Sequence, residues 1–160
     1  MTEATIRPAE ADDVAALDAG LRALSEGMGD AHRAGPAELR AAGFGPNPAF
    51  HALLAERSGA VAGVVLVSPV FSTVRGAAGA FVSDLWVDPV LRGAGLGGRL
   101  LAAAHDSAER HWGAAFLRLA VYDDNPRARA FYERLGFAPQ PGEIILTLDA
   151  RGLAALKGAT

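Results

Sequence analysis

The 160 residues, 51% hydrophobic and 21% charged, suffice for one domain with a substantial core and lie far from the composition of disordered chains. A net charge of −3 with no basic run excludes a surface built for nucleic acid, and no stretch approaches the roughly 18 apolar residues of a membrane span. With no cysteine there are no disulfides, thiolate nucleophiles or Cys-ligated metals. The expectation is a single domain over residues 1–160, soluble and cytoplasmic, with neither nucleic acid nor membrane as partner.

Thr5-Ile6-Arg7 reads as a short strand closed by Pro8, and Asp12 or Asp13 caps a helix whose Val14, Leu17, Leu21 and Leu24 recur at helical spacing. That helix ends near Gly27 or Gly29. A weaker helix runs from Gly35-Pro36 to Gly43, and the region between residues 26 and 50 is otherwise loop-rich. Residues 52–56 and 61–67 are strands joined at Ser58-Gly59, so they pair antiparallel. Residues 80–87 form a long central strand that leads through Asp88-Pro89-Val90-Leu91-Arg92 into a glycine-rich loop and a helix ending near Gly113. Residues 115–122 give a further strand. Asn125-Pro126 opens a helix that Gly136 closes, residues 142–148 give a last strand, and residues 152–160 are a short tail expected to fray in part. The order predicts an α/β fold with a central mixed sheet of about six to seven strands and about four flanking helices. Its N-terminal half is antiparallel, with a parallel crossover near the glycine loop.

The loop carries most of the chemistry. Gly93-Ala94-Gly95-Leu96-Gly97-Gly98 lets successive backbone N–H groups converge at the start of a helix, which suits a phosphate or pyrophosphate. The stretch also matches G-x-G-x-x-G, the dinucleotide fingerprint, but five residues separate the strand from its first glycine and too little chain follows for a doubly wound sheet. A nucleoside triphosphatase loop fails as well, because no G-K-[ST] follows the glycines.

Read as R-x-x-G-x-G, the residues Arg92, Gly95 and Gly97 resemble the pyrophosphate loop of the GNAT superfamily of N-acetyltransferases. The run from Asn125 through Phe131-Tyr132 to Leu135-Gly136-Phe137 resembles that family's downstream signature, and the likeness spans nearly the whole chain. Phe44-Gly45-Pro46, Phe71-Ser72-Thr73 with Gly76 and Gly79, and Asp84-Leu85-Trp86-Val87 are similar to the diamine and polyamine branch, which usually shows Glu where this chain has Ser83. The resemblance implies the GNAT fold, acetyl-coenzyme A as co-substrate without a metal, a small-molecule primary amine as acceptor (polyamine, diamine or amino-acid-like), and a homodimer. A catalytically weak acyl-coenzyme A-binding or regulatory module is the alternative that Ser83 raises.

The roles follow from that resemblance. Backbone N–H groups of Gly93, Gly95, Leu96, Gly97 and Gly98 would hold the pyrophosphate with Arg92 at the rim, while Leu85 and Val87 would pair with the pantetheine arm and aim an N–H at the acetyl carbonyl. Tyr132 is the general acid; its alternative is a place in the core stripe of a short helix with Phe131 and Leu135. Asn125 caps that helix and contacts coenzyme in the same reading. A protonated amine must lose a proton before it attacks, and Asp84, a carboxylate in an apolar strand where burial would raise its pKa, is the leading base, with a structural ion pair as its alternative. Ideal alternation places Ser83 on the face of Leu85 and Val87 and Asp84 on the other, but the family often bulges this strand, so parity does not decide; as the alternative to Asp84, Ser83 orders a relay water. Glu26, Asp30 and His32 lie where the family builds its acceptor pocket, or are solvated loop charges. His51, His105 and His111 show no metal spacing, and Trp86 reads as core.

Overall fold

The computed structural model describes residues 3–158 and divides into two compact units, Met1–Tyr122 and Asp123–Thr160. The first holds one five-stranded sheet in the order β1 (Thr5–Pro8), β2 (His51–Arg57), β3 (Ala60–Ser72), β4 (Ala77–Val87) and β5 (Leu117–Leu119). The first four strands are antiparallel, and β5 joins β4 in parallel. Helices α1 (Val14–Met28) and α2 (Pro36–Phe44) follow β1, and α3 (Leu96–Trp112) makes the crossover from β4 to β5. The hairpin turn between β2 and β3 has Ser58 and Gly59 both at positive φ, 53° and 78°, the backbone that matches the twist of paired strands.

Two apolar layers sandwich the sheet. On one face Val14, Leu17 and Leu21 of α1 and Leu39 of α2 meet Ala52, Leu54, Val64 and Leu66. On the other, α3 buries Leu96, Leu100, Leu101, Ala104 and Ala108. Both helices come close because a glycine stands at each crossing. A Cβ on Gly20 of α1 would sit 2.7 Å from Val64, and one on Gly63 of β3 would sit 2.7 Å from Leu100 of α3. Phe116 lies across Gly79 in the same way, between the guanidinium groups of Arg75 and Arg118 at 5.0 and 5.6 Å from its centroid.

The N-terminal corner is tied by Arg7. Its guanidinium donates to both oxygens of Asp13, at 2.7 and 2.9 Å, and to both of Glu56, at 3.0 Å each, so β1, the turn before α1 and the end of β2 share one cation. Asp13 thereby serves Arg7 and the Glu10 amide rather than the start of α1 by a side-chain cap.

The second unit contains α4 (Pro126–Arg134) and α5 (Ala150–Gly158). The Asn125 side-chain Oδ1 accepts from the Ala128 amide at 3.1 Å, and Gly136 follows α4 at φ 97°, so both ends of this helix lie where the sequence marks them. The strand count is lower than the six to seven expected. Residues 142–148 belong to no strand among the described residues, because alternation of apolar side chains makes a strand only where a neighbour supplies the ladder, and here none does. The strand expected over residues 115–122 shortens to Leu117–Leu119. The tail expected to fray is helical over Ala150–Gly158, which brings the α-helices to five; its last two residues lie outside the described ones. Among the described residues no helix is long and apolar enough to cross a membrane.

The paired Arg7 guanidinium holds the Asp13 carboxyl down at about 2. A depressed acid stabilises the fold above its unfolded value and stops doing so as pH falls through the folded one. The melting-temperature advantage of the native chain over Arg7→Ala should therefore be full at pH 7 and shrink between about pH 4 and 2. An advantage that stays constant over that range would show that the corner is not held by charge.

Candidate active site

The site begins with a break in the β4 ladder. Leu66 of β3 faces Asp84, but its neighbour Val67 faces Val82, so Ser83 is an extra residue without a partner on β3. Such a bulge reverses alternation: Val82 and Asp84, two apart, lie on opposite faces of the sheet. Asp84 shares the α1 face with Leu66, Val64 and Trp86, whereas Val82, Leu85 and Val87 share the α3 face with Val67, Val65 and Gly63. Ser83 is exposed and Asp84 half-buried, so the carboxylate is less enclosed than its apolar strand suggests. Trp86 packs on the α1 core, as the sequence reading has it.

The same place is where β4 loses its other neighbour. The parallel ladder pairs Ala80 with Leu117, Phe81 with Arg118 and Val82 with Leu119, and then stops. Among the described residues, 83–87 continue as strand on the β3 side with no strand on the other, which leaves a row of backbone donors and acceptors, apart from the Val87 carbonyl that Arg92 takes, available to an extended ligand arm. Leu85 and Val87, expected to meet such an arm, belong to this row.

That edge runs directly into the loop. Asp88 turns the chain by accepting from the Val90 amide at 3.0 Å, and Arg92 folds back so that its Nε donates to the Val87 carbonyl at 3.1 Å. Gly93 and Gly95 stand at φ 82° and 79°, and a Cβ on either would meet only open space. They are therefore required by the backbone path rather than by packing. Gly95 is the N-cap of α3, so the amides of Leu96, Gly97 and Gly98 have no acceptor within the helix and face its positive dipole end. Donor convergence, an open strand edge and a cationic rim residue together fit a pyrophosphate-bearing ligand with an extended arm.

On the α1 face, the loop between α1 and α2 is fastened at two points. The Tyr122 hydroxyl donates to Asp30 at 2.9 Å, tying the loop to the segment just past β5. His32 is turned inward, its ring between Asp18 at 3.1 Å and the Ser25 hydroxyl at 3.1 Å. Of the three expected rim residues, Glu26 and Asp30 are exposed carboxylates, while His32 is a clamp. Sequence reading missed Tyr122, Asp18 and Ser25. Tyr122 ends an apparent strand, and only the three-dimensional return of the chain past β5 gives it a partner 92 residues away.

In the second unit Tyr132 is half-buried, edge-on to Phe131 at 5.0 Å and to Phe137 at 5.6 Å. Burial pushes its phenol above the ordinary value of 10.0. Asn125 commits its side-chain Oδ1 to the α4 cap.

Apart from His32, the histidines separate into two groups. His51 at the start of β2 meets His111 and Trp112 of α3 with ring centroids 4.6 Å away in each case, and burial, then His111, lowers its pKa. His105, which showed no metal spacing in the sequence, brings a ligand atom within 4.8 Å of those of Asp106 and Glu109 on α3. None of the three is buried.

With the geometry described, comparison with known proteins is specific. The model of the acetyltransferase (GNAT) family matches residues 21–137. The chain is 33% identical over 146 residues to a thialysine N-epsilon-acetyltransferase of Mus musculus, covering 85% of each chain. It is 37% identical over 97 residues to the uncharacterised N-acetyltransferase YhfO of Bacillus subtilis, covering 61% of this chain and 64% of that one. Among solved structures, a ribosomal-protein-alanine N-acetyltransferase from Brucella melitensis superposes with a TM-score of 0.74 at 19% identity, covering 91% of this chain and 99% of the other; the likeness is one of fold.

The loop geometry predicts a separable binding defect. Gly95→Ala forces a side chain into the left-handed region at a cost of about 1–2 kcal/mol, so a loop that relaxes should bind coenzyme A roughly ten-fold more weakly. Gly76→Ala, at φ 63° in the β3–β4 turn, should lower stability and leave coenzyme affinity unchanged, as read by calorimetric titration. Equal affinity in both variants would remove Gly95 from the binding loop.

Proposed function

The chain belongs to the acetyltransferase (GNAT) family and is an acyl-coenzyme A-dependent N-acetyltransferase, and from that premise we propose that it transfers acetyl from acetyl-coenzyme A to a primary amine of a small molecule. The acceptor class we infer is a polyamine, a diamine or an amino-acid-like amine. The observation that supports this most is the open backbone edge of residues 83–87 leading into the glycine loop and the first turn of α3. The exposed carboxylates Glu26 and Asp30 favour a cationic acceptor. The relatives named for thialysine N-epsilon acetylation favour a side-chain amine.

Acetyl-coenzyme A supplies an activated thioester, and the rest falls to the chain. The amides of residues 93–98 hold the pyrophosphate with Arg92 at the rim. The backbone at Leu85 and Val87 lines up the arm and directs an N–H toward the acetyl oxygen, where negative charge grows during attack. An alkylamine of pKa about 10.4 arrives protonated. Asp84 accepts that proton, directly or through a water ordered by Ser83, and releases the lone pair that forms the new C–N bond. The carbonyl re-forms as the C–S bond breaks, Tyr132 protonates the departing sulfur, and the second proton that the nitrogen sheds as the amide forms returns to the Tyr132 phenolate; burial raises that phenol's pKa. Asn125 orders the first turn of the helix that carries Tyr132 and in this reading also touches the coenzyme.

The test is a panel of diamines, polyamines, amino acids, aminoglycosides and peptides with acetyl-coenzyme A, read by thiol release. Turnover should concentrate on diamines or lysine-like amines. Coenzyme binding without thiol release on any acceptor would make the chain an acyl-coenzyme A-binding module instead. With the best acceptor, Tyr132→Phe should lower kcat by about 10²–10⁴ while coenzyme affinity holds. Asp84→Asn should depress the rate at neutral pH and recover it as pH rises toward the pKa of the amine; an unaltered pH–rate profile would assign the base elsewhere.

A further inference from the structure

Two imidazoles from distant parts of the chain meet at the end of α3 opposite the glycine loop. His51 opens β2 and His111 stands in the last turn of α3, with ring centroids 4.6 Å apart and planes at 89°. No local spacing announces the pair, because only the packing of α3 on the sheet brings strand and helix together. Trp112 lies against His51 as well, at 4.6 Å between centroids and a tilt of 43°. His51 is half-buried and His111 exposed, so the pair is rooted in the fold yet open to solvent.

Each ring has a nitrogen lone pair to give. The Nδ1 of His111 lies 2.7 Å from the Ser107 carbonyl oxygen, and a carbonyl can only accept, so Nδ1 carries the proton and Nε2 is the bare nitrogen. An imidazole that donates one N–H to a backbone carbonyl is the arrangement that orients metal-ligating histidines and fixes their tautomer. His51 is neutral at pH 7, since burial and then the charge of His111 lower its pKa below the ordinary 6.5. The spacing agrees with a shared ion. Two imidazoles bound cis to one metal at about 2.0–2.1 Å place their ring centroids about 4.5–5 Å apart. The χ2 torsion of histidine is soft, so a ring turns its nitrogen inward at small cost. The position adds an attraction of its own, because α3 runs 17 residues to Trp112 and the negative end of its dipole lies at this corner.

We propose that His51 and His111 form a two-histidine site for a divalent transition-metal ion of the nickel or copper kind, with water in the remaining positions. Paired imidazoles near a right angle suit the tetragonal geometry of these ions, which also stand high in the affinity order for nitrogen ligands. Bound there, the ion would staple the start of β2 to the end of α3, the helix whose opposite end forms the glycine loop. The other histidine cluster is the weaker claimant. His105, Asp106 and Glu109 offer one imidazole and two exposed carboxylates from a single helix, and they tie α3 to no other element.

The probe is nickel chloride titrated into the full, untagged chain, followed by calorimetry and by tryptophan fluorescence. One ion per chain should bind in the micromolar range, and emission should fall with it, because an open-shell ion quenches an indole held against one of its ligands. Affinity should decline from about pH 7.5 to about pH 5.5 as protons compete for the imidazoles. His51→Gln and His111→Gln should each weaken binding by at least the roughly ten-fold that losses around metal sites cost, with circular dichroism unchanged. His105→Gln should leave the isotherm as it is. A second measurement needs no variant: with copper(II) in place of nickel, the electron paramagnetic spectrum should show nitrogen coupling from two imidazoles. The absence of nickel binding would overturn the proposal. So would an unchanged isotherm in either His51→Gln or His111→Gln, binding lost in His105→Gln, or a copper spectrum without two coupled imidazoles.

Discussion

One inserted residue governs the active-site half of the molecule. Ser83 has no counterpart on β3, and the strand that carries it changes character there: before it β4 is held on both edges, after it on one. The bulge and the end of the β5 ladder coincide, so the place where Asp84 turns to the α1 face is also the place where residues 83–87 lose their second neighbour. A regular strand of the same composition would place Val82 and Asp84 on the same side. The irregularity is maintained by regular structure around it. Gly20 and Gly63 let helices clamp the sheet from both faces at adjacent β3 positions, Val64 and Gly63, just short of the bulge.

Binding and proton chemistry are thereby supplied by different kinds of group. In the proposed function the loop and the open edge act through backbone amides, which carry no net charge and do not titrate, so ligand capture by them would be insensitive to pH over the range in which amines deprotonate. The proton steps fall to side chains in the proposed mechanism, where Asp84 is half-buried and burial raises the pKa of the Tyr132 phenol. A strand edge specifies an extended chain but not its functional groups. In the proposed function, discrimination among acceptors would fall to the loop between α1 and α2, which Tyr122 and His32 fasten.

Much of this was legible in the residues, and the divide between what was and what was not is physical. Glycine at Gly93 and Gly95 is needed for a local backbone conformation, and the Asn125-Pro126 start and Gly136 stop of α4 are local caps, so each can be read without knowing the rest of the fold. The α1 stripe of Val14, Leu17 and Leu21 is equally local in its spacing. Strand pairing is not local. Residues 142–148 have a strand's pattern and no ladder, and β5 shrinks to three residues because its length is set by how far β4 stays beside it. The Ser83 bulge is a relation between two strands, visible only once Leu66 and Val67 are seen to face Asp84 and Val82. Likewise Tyr122 reads in sequence as the end of a strand and His32 as a residue of the acceptor loop, and their function as fasteners exists only through Asp30, Asp18 and Ser25.

The aromatic ring across Gly79 gives the parting strands a root. Phe116 rests on the bare backbone of β4 and is flanked by two guanidinium groups, just before the three pairs that join β4 to β5. A Cβ at position 79 would stand 2.5 Å from the Phe116 ring, so any larger residue there must push Phe116, and with it the start of β5, away from β4 just where their ladder begins.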